Sequence, residues 1–281
     1  MIGGRHAGDR PAAEIDLRRR GLSAGLAAMA VVAALGSRPA RGSCTIPQRR
    51  RLDYELRVSG LQIAEMALEF SCAGSFAIVE LQLVNRGVAT FFAGRNRTSM
   101  TARIGFDADG RPQPTHFRAS YQKPDRLRET ELRFAPDGEL TRLVTRNQGR
   151  EQESPVPPEL REPSIDPLAA IMCLSYWLGE RAAPGDHILY PVFEGRKRAD
   201  LEAIYRGPTR VDAAGRSWDA HHLEASLRGL SGFDEKDSFV TLPGEKRDWI
   251  DVFVSDDPLP VPLLISNTAS RLPSRIELTS G

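Results

Sequence analysis

The sequence predicts a mainly-β fold: a strongly curved antiparallel sheet of ten or more strands, a half-barrel or β-spiral, wrapped around one buried helix. Three observations predict it. Apolar and polar residues alternate with period two from Leu52 to Arg146 and again after His187, the pattern of half-buried strands. Turn residues punctuate these runs at hairpin spacing. One helical pattern, Pro167 to Leu178, is apolar around most of its circumference, which suits an interior position.

The first element is an export signal. Arg18-Arg19-Arg20 precede an uncharged, mostly apolar run from Gly21 to Leu35, and the small-residue stretch Ala40-Arg41-Gly42-Ser43 follows. That is the layout of a cleaved signal peptide, and Arg19-Arg20-Gly21-Leu22-Ser23 approximates the twin-arginine export pattern. The run falls short of the ~20 apolar residues of a membrane span. Residues 1–42 are therefore expected to be removed, leaving no transmembrane span and one β-rich periplasmic domain over residues 43–281. An outer-membrane lipoprotein anchored at Cys44 is the lesser alternative, since Arg41 and Ser43 stand where acylation favours an apolar and a smaller residue. Beyond residue 42 the chain carries 31 Lys and Arg against 34 Asp and Glu, a net charge of −3. Electrostatically driven binding of nucleic acid or of an anionic membrane is not expected of such a chain.

Leu52 to Val58 and Gln62 to Phe70 read as strands joined at Ser59-Gly60-Leu61. In that hairpin the numbers of paired residues sum to about 120, and those of Cys44 and Cys72 sum to nearly the same value, so the two sulfurs meet at its open end. Such a bridge contributes about 3–4 kcal/mol in the chain-entropy picture. Three cysteines leave one over. A Cys72–Cys173 bridge is the rival pairing; in the first, Cys173 is a buried, inert thiol.

Phe76 to Leu83 is a more apolar central strand, and Thr115 to Ser120 and Glu129 to Phe134 alternate again, with turns at Asp107–Gly110 and Pro136–Gly138. Asn96-Arg97-Thr98 reads as a hairpin turn. Glu151 to Pro163, with four prolines, is a linker that cannot pair as a central strand. Asp166 is placed to cap the helix, with Pro167 at its first position and Gly179 at its end. Strands then resume at His187–Phe193, Asp200–Arg206, Ser217–Arg228, Trp249–Ser255, Val261–Thr268 and Arg271–Leu278, with a solvated connection from Gly229 to Arg247 that holds a short strand at Ser238–Leu242.

Candidate chemistry is sparse. Asp219, His221 and His222 cluster on one strand, where Asp219 and His221 share a face and His222 lies on the other with Trp218 and Glu224. They suggest a hydrolase as an alternative function, although hydrogen-bonded strand histidines explain them more simply. A metal site would need several ligands converging on one point, and neither a metal nor a cofactor is predicted. Cys173 sits mid-helix without a base. No G-x-S-x-G elbow and no glycine-rich phosphate loop occurs. Asp256-Asp257-Pro258 reads as an acidic turn and Arg196-Lys197-Arg198 as a solvated hairpin tip.

Two segments carry a resemblance. Ile165-Asp166-Pro167-Leu168-Ala169-Ala170 after the proline-rich linker, and Trp249-Ile250-Asp251-Val252-Phe253-Val254-Ser255-Asp256-Asp257-Pro258-Leu259-Pro260-Val261-Pro262 near the C-terminus, resemble the bacterial exported proteins of domain-of-unknown-function family 3108. The Tyr54 strand with Gly60 also fits, while Ala64-Glu65 stands where the family's glycine is expected. The resemblance implies a periplasmic, β-rich domain and no known activity. The expected function is a non-enzymatic periplasmic protein supporting the cell envelope. It would bind a lipid, glycan or protein partner in a concave sheet face, near which Met172, Trp177, Trp218, Trp249 and Phe253 lie unless they are simply core.

Overall fold

The computed structural model describes residues 44, 49–179, 182–233, 240–242, 247–257, 260–268 and 273–281; the export signal expected over residues 1–42 lies outside them. Tyr54, Leu56, Met66 and Leu68 are buried at every second position, so burial of one face fixes the register of β1 (Arg50–Val58) on β2 (Leu61–Ala73). Ser59 and Gly60, both at positive φ, make the two-residue turn whose twist matches the flanking strands. The hairpin pairs Leu52 with Leu68 and Leu56 with Ala64. Beyond it Cys44 and Cys72 form a disulfide with Cα atoms 5.8 Å apart.

The meander continues through β3 (Phe76–Asn85), a short helix α1 (Gly87–Ala93), β4 (Arg97–Phe106), β5 (Pro112–Lys123), β6 (Arg126–Phe134), β7 (Leu140–Asn147) and the short β8 (Arg150–Gln152). The proline-rich stretch holds a single 3-10 turn, Pro158–Leu160, and leads into α2 (Pro167–Gly179). Then come β9 (His187–Phe193), β10 (Arg198–Ala213), β11 (Arg216–Ser231), β12 (Ile250–Ser255), β13 (Pro262–Asn267) and β14 (Ser274–Ser280). The fourteen described strands form one antiparallel sheet in the order β8 down to β1, then β14 down to β9. Every strand pairs with its neighbour in sequence except at the seam, where β1 meets β14 through pairs such as Tyr54–Leu278. The sheet is not closed. Its two ends, β8 and β9, are joined in the chain by the proline-rich stretch and α2.

Asp166 begins α2 as expected: the Leu168 and Ala169 N–H groups donate to its Oδ1, both at 2.9 Å. Residues Pro167 to Ser175 and Leu178 are buried, and α2 packs against β4, β5 and β9. Just before it, Ile165 bridges Val192, its N–H donating to the Pro191 carbonyl and its own carbonyl accepting from Phe193. The linker thereby covers an otherwise open edge of β9.

Four readings change. Arg97 and Thr98 open β4 rather than a turn. Gly87–Ala93 is helical although Val88, Thr90 and Phe91 favour strands. Arg198 is no solvated tip: it opens β10, is 7% exposed, and pairs with buried Asp200 at 2.9 Å. On β11 the buried set runs Trp218, Ala220 and then Leu223, Ala225, Leu227, so the alternation slips by one at His221–His222. Opposite that point β10 has a register shift between Tyr205 and Gly207, the signature of a bulge. Trp218 and His222 consequently do not belong to one continuous face. Of the short strand expected at Ser238–Leu242, residues 240–242 are described, and Thr241 makes an isolated bridge to Arg228.

Candidate functional site

The most distinctive described site lies between strands β4, β5 and β6 and the turn that joins β9 to β10. Cross-strand pairing sets Thr98 beside Tyr121 and Tyr121 beside Arg128, a row running over β4, β5 and β6. The turn between β9 and β10 reaches this row from the other end of the sheet. Its Glu194, 4% exposed, accepts a hydrogen bond from the Tyr121 hydroxyl at 2.8 Å. Burial, reinforced by that carboxylate, pushes the Tyr121 hydroxyl well above its ordinary pKa, so the phenol remains a donor. Ser154 of the proline-rich stretch donates to the Gly195 carbonyl. Gly195 has φ +94°, and a Cβ there would stand 2.3 Å from Thr130 Cγ2. Only glycine permits so close an approach of the turn to β6.

Between these elements is a cavity of about 220 Å³. Among the described residues, Arg97, Lys123, Arg126, Arg128, Arg196 and Lys197 line it, with Glu194 the single described acid of the lining. The six cations come from β4, from the β5–β6 hairpin and from the β9–β10 turn. Their crowding is visible at Arg128. Burial first, then the Arg196 and Arg126 guanidiniums, hold it below the usual arginine value, and Glu194 only partly opposes them. The Arg128 Nε is buried without a hydrogen-bond partner, and so is the neighbouring Asn96 Oδ1. A buried guanidinium N–H without an acceptor is costly. An oxyanion in the cavity would supply that acceptor and offset the like-charge repulsion.

The sequence-predicted cluster is distributed otherwise. Asp219 pairs with Arg210 at 2.8 Å in an exposed ion pair. His221 stands between the Tyr205 hydroxyl, 2.9 Å from Nδ1, and the Asp256 carboxylate, 3.0 Å from Nε2. His222 is 2.9 Å from Asp251 and stacks on Phe253 with ring centroids 4.8 Å apart. The described contacts thus give each histidine its own carboxylate and give Asp219 a cation. No group of three or more His, Cys, Asp or Glu among the described residues could hold a metal ion.

The predicted aromatic set is engaged in separate contacts. Met172 is core. Trp218 is buried, its Nε1–H donates to the Ala213 carbonyl at 2.9 Å, and Arg216 lies 3.4 Å over its ring. Trp249 lies under Arg247, and Trp177 packs half-buried on the core. Cys173 is a buried free thiol pushed up to about 12, first by burial and then by Asp166. The basic cavity escaped sequence reading because its residues span about a hundred positions. The signal that could have found it was basic residues recurring beside three turns: Arg95-Asn96-Arg97, Lys123-Pro124-Asp125-Arg126-Leu127-Arg128 and Arg196-Lys197.

Comparison with known proteins gives a family and two distant structures. The family described as Protein of unknown function (DUF3108) matches residues 53–270. Among solved structures, a beta-barrel-like protein of domain of unknown function DUF1849 from Brucella abortus aligns with a TM-score of 0.49 at 12% identity, over 82% of this chain and 94% of that one. A protein taken to be a lipoprotein, from Parabacteroides distasonis, aligns with a TM-score of 0.29 at 8% identity, over 88% and 98% of the two chains. No curated protein matches. No helix among the described residues is long and apolar enough to cross a membrane.

Proposed function

The chain belongs to the family of Protein of unknown function (DUF3108), and for it we propose a non-enzymatic binding role in the bacterial periplasm, supporting the cell envelope by holding an anionic ligand. In this reading the sheet curls strongly around α2, so that its interior is core and the ligand sits where the two sheet ends meet. The Tyr121–Glu194 hydrogen bond and the seat of Gly195 against Thr130 support that curl, because they join β5 and β6 to the far end of the sheet. The observation that carries the proposal is the cavity itself: among the described residues six cations stand against one carboxylate, with the Arg128 Nε left unpartnered.

The periplasmic setting rests on the signal-like residues 1–42 and on the Cys44–Cys72 disulfide, a bond suited to an oxidising compartment. The disulfide also occupies the sulfur that acylation at Cys44 would use, which favours a protein released from its signal over a lipid-anchored one. The ion pair of Asp219 with Arg210 favours binding over hydrolysis by Asp219 with His221 or His222.

Inorganic pyrophosphate is a suitable probe, small enough for the cavity and rich in acceptors. Calorimetric titration should show one saturable site that weakens at least tenfold in Arg128→Met and in Arg196→Met, while Arg210→Met, at the exposed ion pair, binds like the parent. Absence of binding to the parent protein, or equal binding by all three variants, would overturn the assignment.

A further inference from the structure

We propose that the ligand is a phosphate ester of a short polyol, its phosphate held by Arg128 and one of its hydroxyls by Asn96; this inference rests on the anion-binding reading above. The argument comes from two side-chain atoms of the cavity lining. The Arg128 Nε–H and the Asn96 Oδ1 are both buried without a hydrogen-bond partner among the described residues. One is a donor and the other an acceptor, so a ligand made only of acceptors cannot serve both.

The sheet holds both residues in place. Asn96 immediately precedes β4, and the Asn85 N–H donates to its carbonyl at 3.1 Å, one step beyond the Val84–Arg97 pair. The β3–β4 ladder therefore continues to Asn96, and the strand period of two puts its side chain on the face of Thr98. Thr98 pairs with Tyr121, and Tyr121 with Arg128. Asn96 and Arg128 thus flank one row of side chains that crosses β4, β5 and β6. Thr98 and Gln122 add a hydroxyl and an amide to the same lining.

The two orphaned atoms call for one bifunctional occupant. A bare phosphate answers Arg128 and the crowding of Arg126 and Arg196 against it, and leaves the Asn96 amide unserved. A neutral polyol reaches both atoms and leaves that crowding as it was. A polyol phosphate does both: its phosphate oxygens accept from the guanidinium, and a hydroxyl donates to Asn96 Oδ1. Because a hydroxyl both donates and accepts, it suits the amide in either orientation. A cavity of about 220 Å³ suits a phosphate on a chain of a few carbons.

The test is calorimetric titration with a matched pair of esters, glycerol 1-phosphate and propyl phosphate, run beside the pyrophosphate titration. At about pH 8 both esters are dianions; they share a carbon skeleton and differ only in hydroxyls. The parent protein should bind glycerol 1-phosphate about fivefold or more tighter than propyl phosphate, the effect of satisfying one buried polar atom. Asn96→Ala should bind the two esters alike, a ratio within one variant that cancels any general weakening of the site. Arg128→Met should weaken both esters about tenfold or more, from the loss of a charge-assisted hydrogen bond. If the parent binds the two esters alike, or if Asn96→Ala keeps the preference or loses both esters, the polyol inference is wrong, and pyrophosphate binding by the parent leaves the anion site standing. If pyrophosphate fails to bind the parent, the underlying reading falls and this inference with it.

Discussion

Replacing Asp166 with asparagine should remove a pH dependence of stability that spans roughly pH 4 to 7. The carboxyl is fully buried. Its Oδ1 accepts from the Leu168 and Ala169 N–H groups, while its Oδ2 is buried without a partner. Burial pushes the group from 3.8 to about 7, against the downward pull of the backbone donors. Between those two values the folded chain holds a proton that the unfolded chain has released, so stability falls as pH rises through the window. Below the unfolded value this contribution is fully present, and above about 7 it is gone. A shift of about three units is worth about 4 kcal/mol at about 1.36 kcal/mol per unit. The substituted amide would keep an acceptor for the two N–H groups and would not ionise. Urea unfolding of parent and Asp166→Asn between about pH 4 and pH 8.5 isolates the effect, because the other titrating groups cancel in the difference. The variant should gain on the parent by as much as about 4 kcal/mol across the window, with most of the change complete near pH 7. Parallel stability curves would refute the reasoning, as they would mean that the carboxylate ionises inside the fold at little cost.

Other consequences are as direct. Gly195→Ala places a Cβ 2.3 Å from Thr130 Cγ2 at a φ of +94°, so thermal unfolding should show a loss of about 1–3 kcal/mol, and pyrophosphate binding should weaken with it; an unchanged melting temperature would mean that the β9–β10 turn does not seat on β6. Cys72→Ser opens the Cys44–Cys72 bridge across a sequence separation of 28 and should lower urea stability by about 3–4 kcal/mol. In the parent protein an aromatic disulfide reagent should find no reactive thiol until urea is added and then one per chain, since the Cys173 thiol is buried and pushed up to about 12; rapid reaction in the native state would contradict that placement.

Much of the fold was legible because one-sided burial writes itself into sequence. The alternation of Leu52, Tyr54 and Leu56 against Ala64, Met66 and Leu68 specified both strands and their register, and the observed pairs Arg50–Phe70 and Leu52–Leu68 keep the sum that brought Cys44 to Cys72. Asp166-Pro167 and Gly179 marked the ends of α2 through capping chemistry. What stayed hidden depends on distant partners. Nothing local announces that β1 pairs with β14, since the contact joins residues more than two hundred positions apart. The slip at His221–His222 arises from a bulge on the neighbouring strand, and an alternation read along β11 alone assigns Trp218 to the wrong neighbours. α1 was missed because its Val, Thr and Phe residues are strand formers.

The candidate site was the least legible part, for a related reason. Net charge is a sum, and a chain at +1 overall, or −3 beyond residue 42, gives no sign of a local field. Ion pairs elsewhere explain the balance: Glu131 with Arg133, Glu224 with Arg206 and Asp219 with Arg210 neutralise cations along the strands. Such neutralisation removes long-range attraction for an extended polyanion such as nucleic acid. It leaves the excess charge concentrated in the cavity, where partly buried walls weaken screening. A field confined in this way selects by size as well as sign, because an anion must enter to feel it. The open sheet makes that confinement possible: the linker covers the edge of β9, Gly195 brings the β9–β10 turn onto β6, and the cations of three elements are left facing one small volume with a single described carboxylate among them.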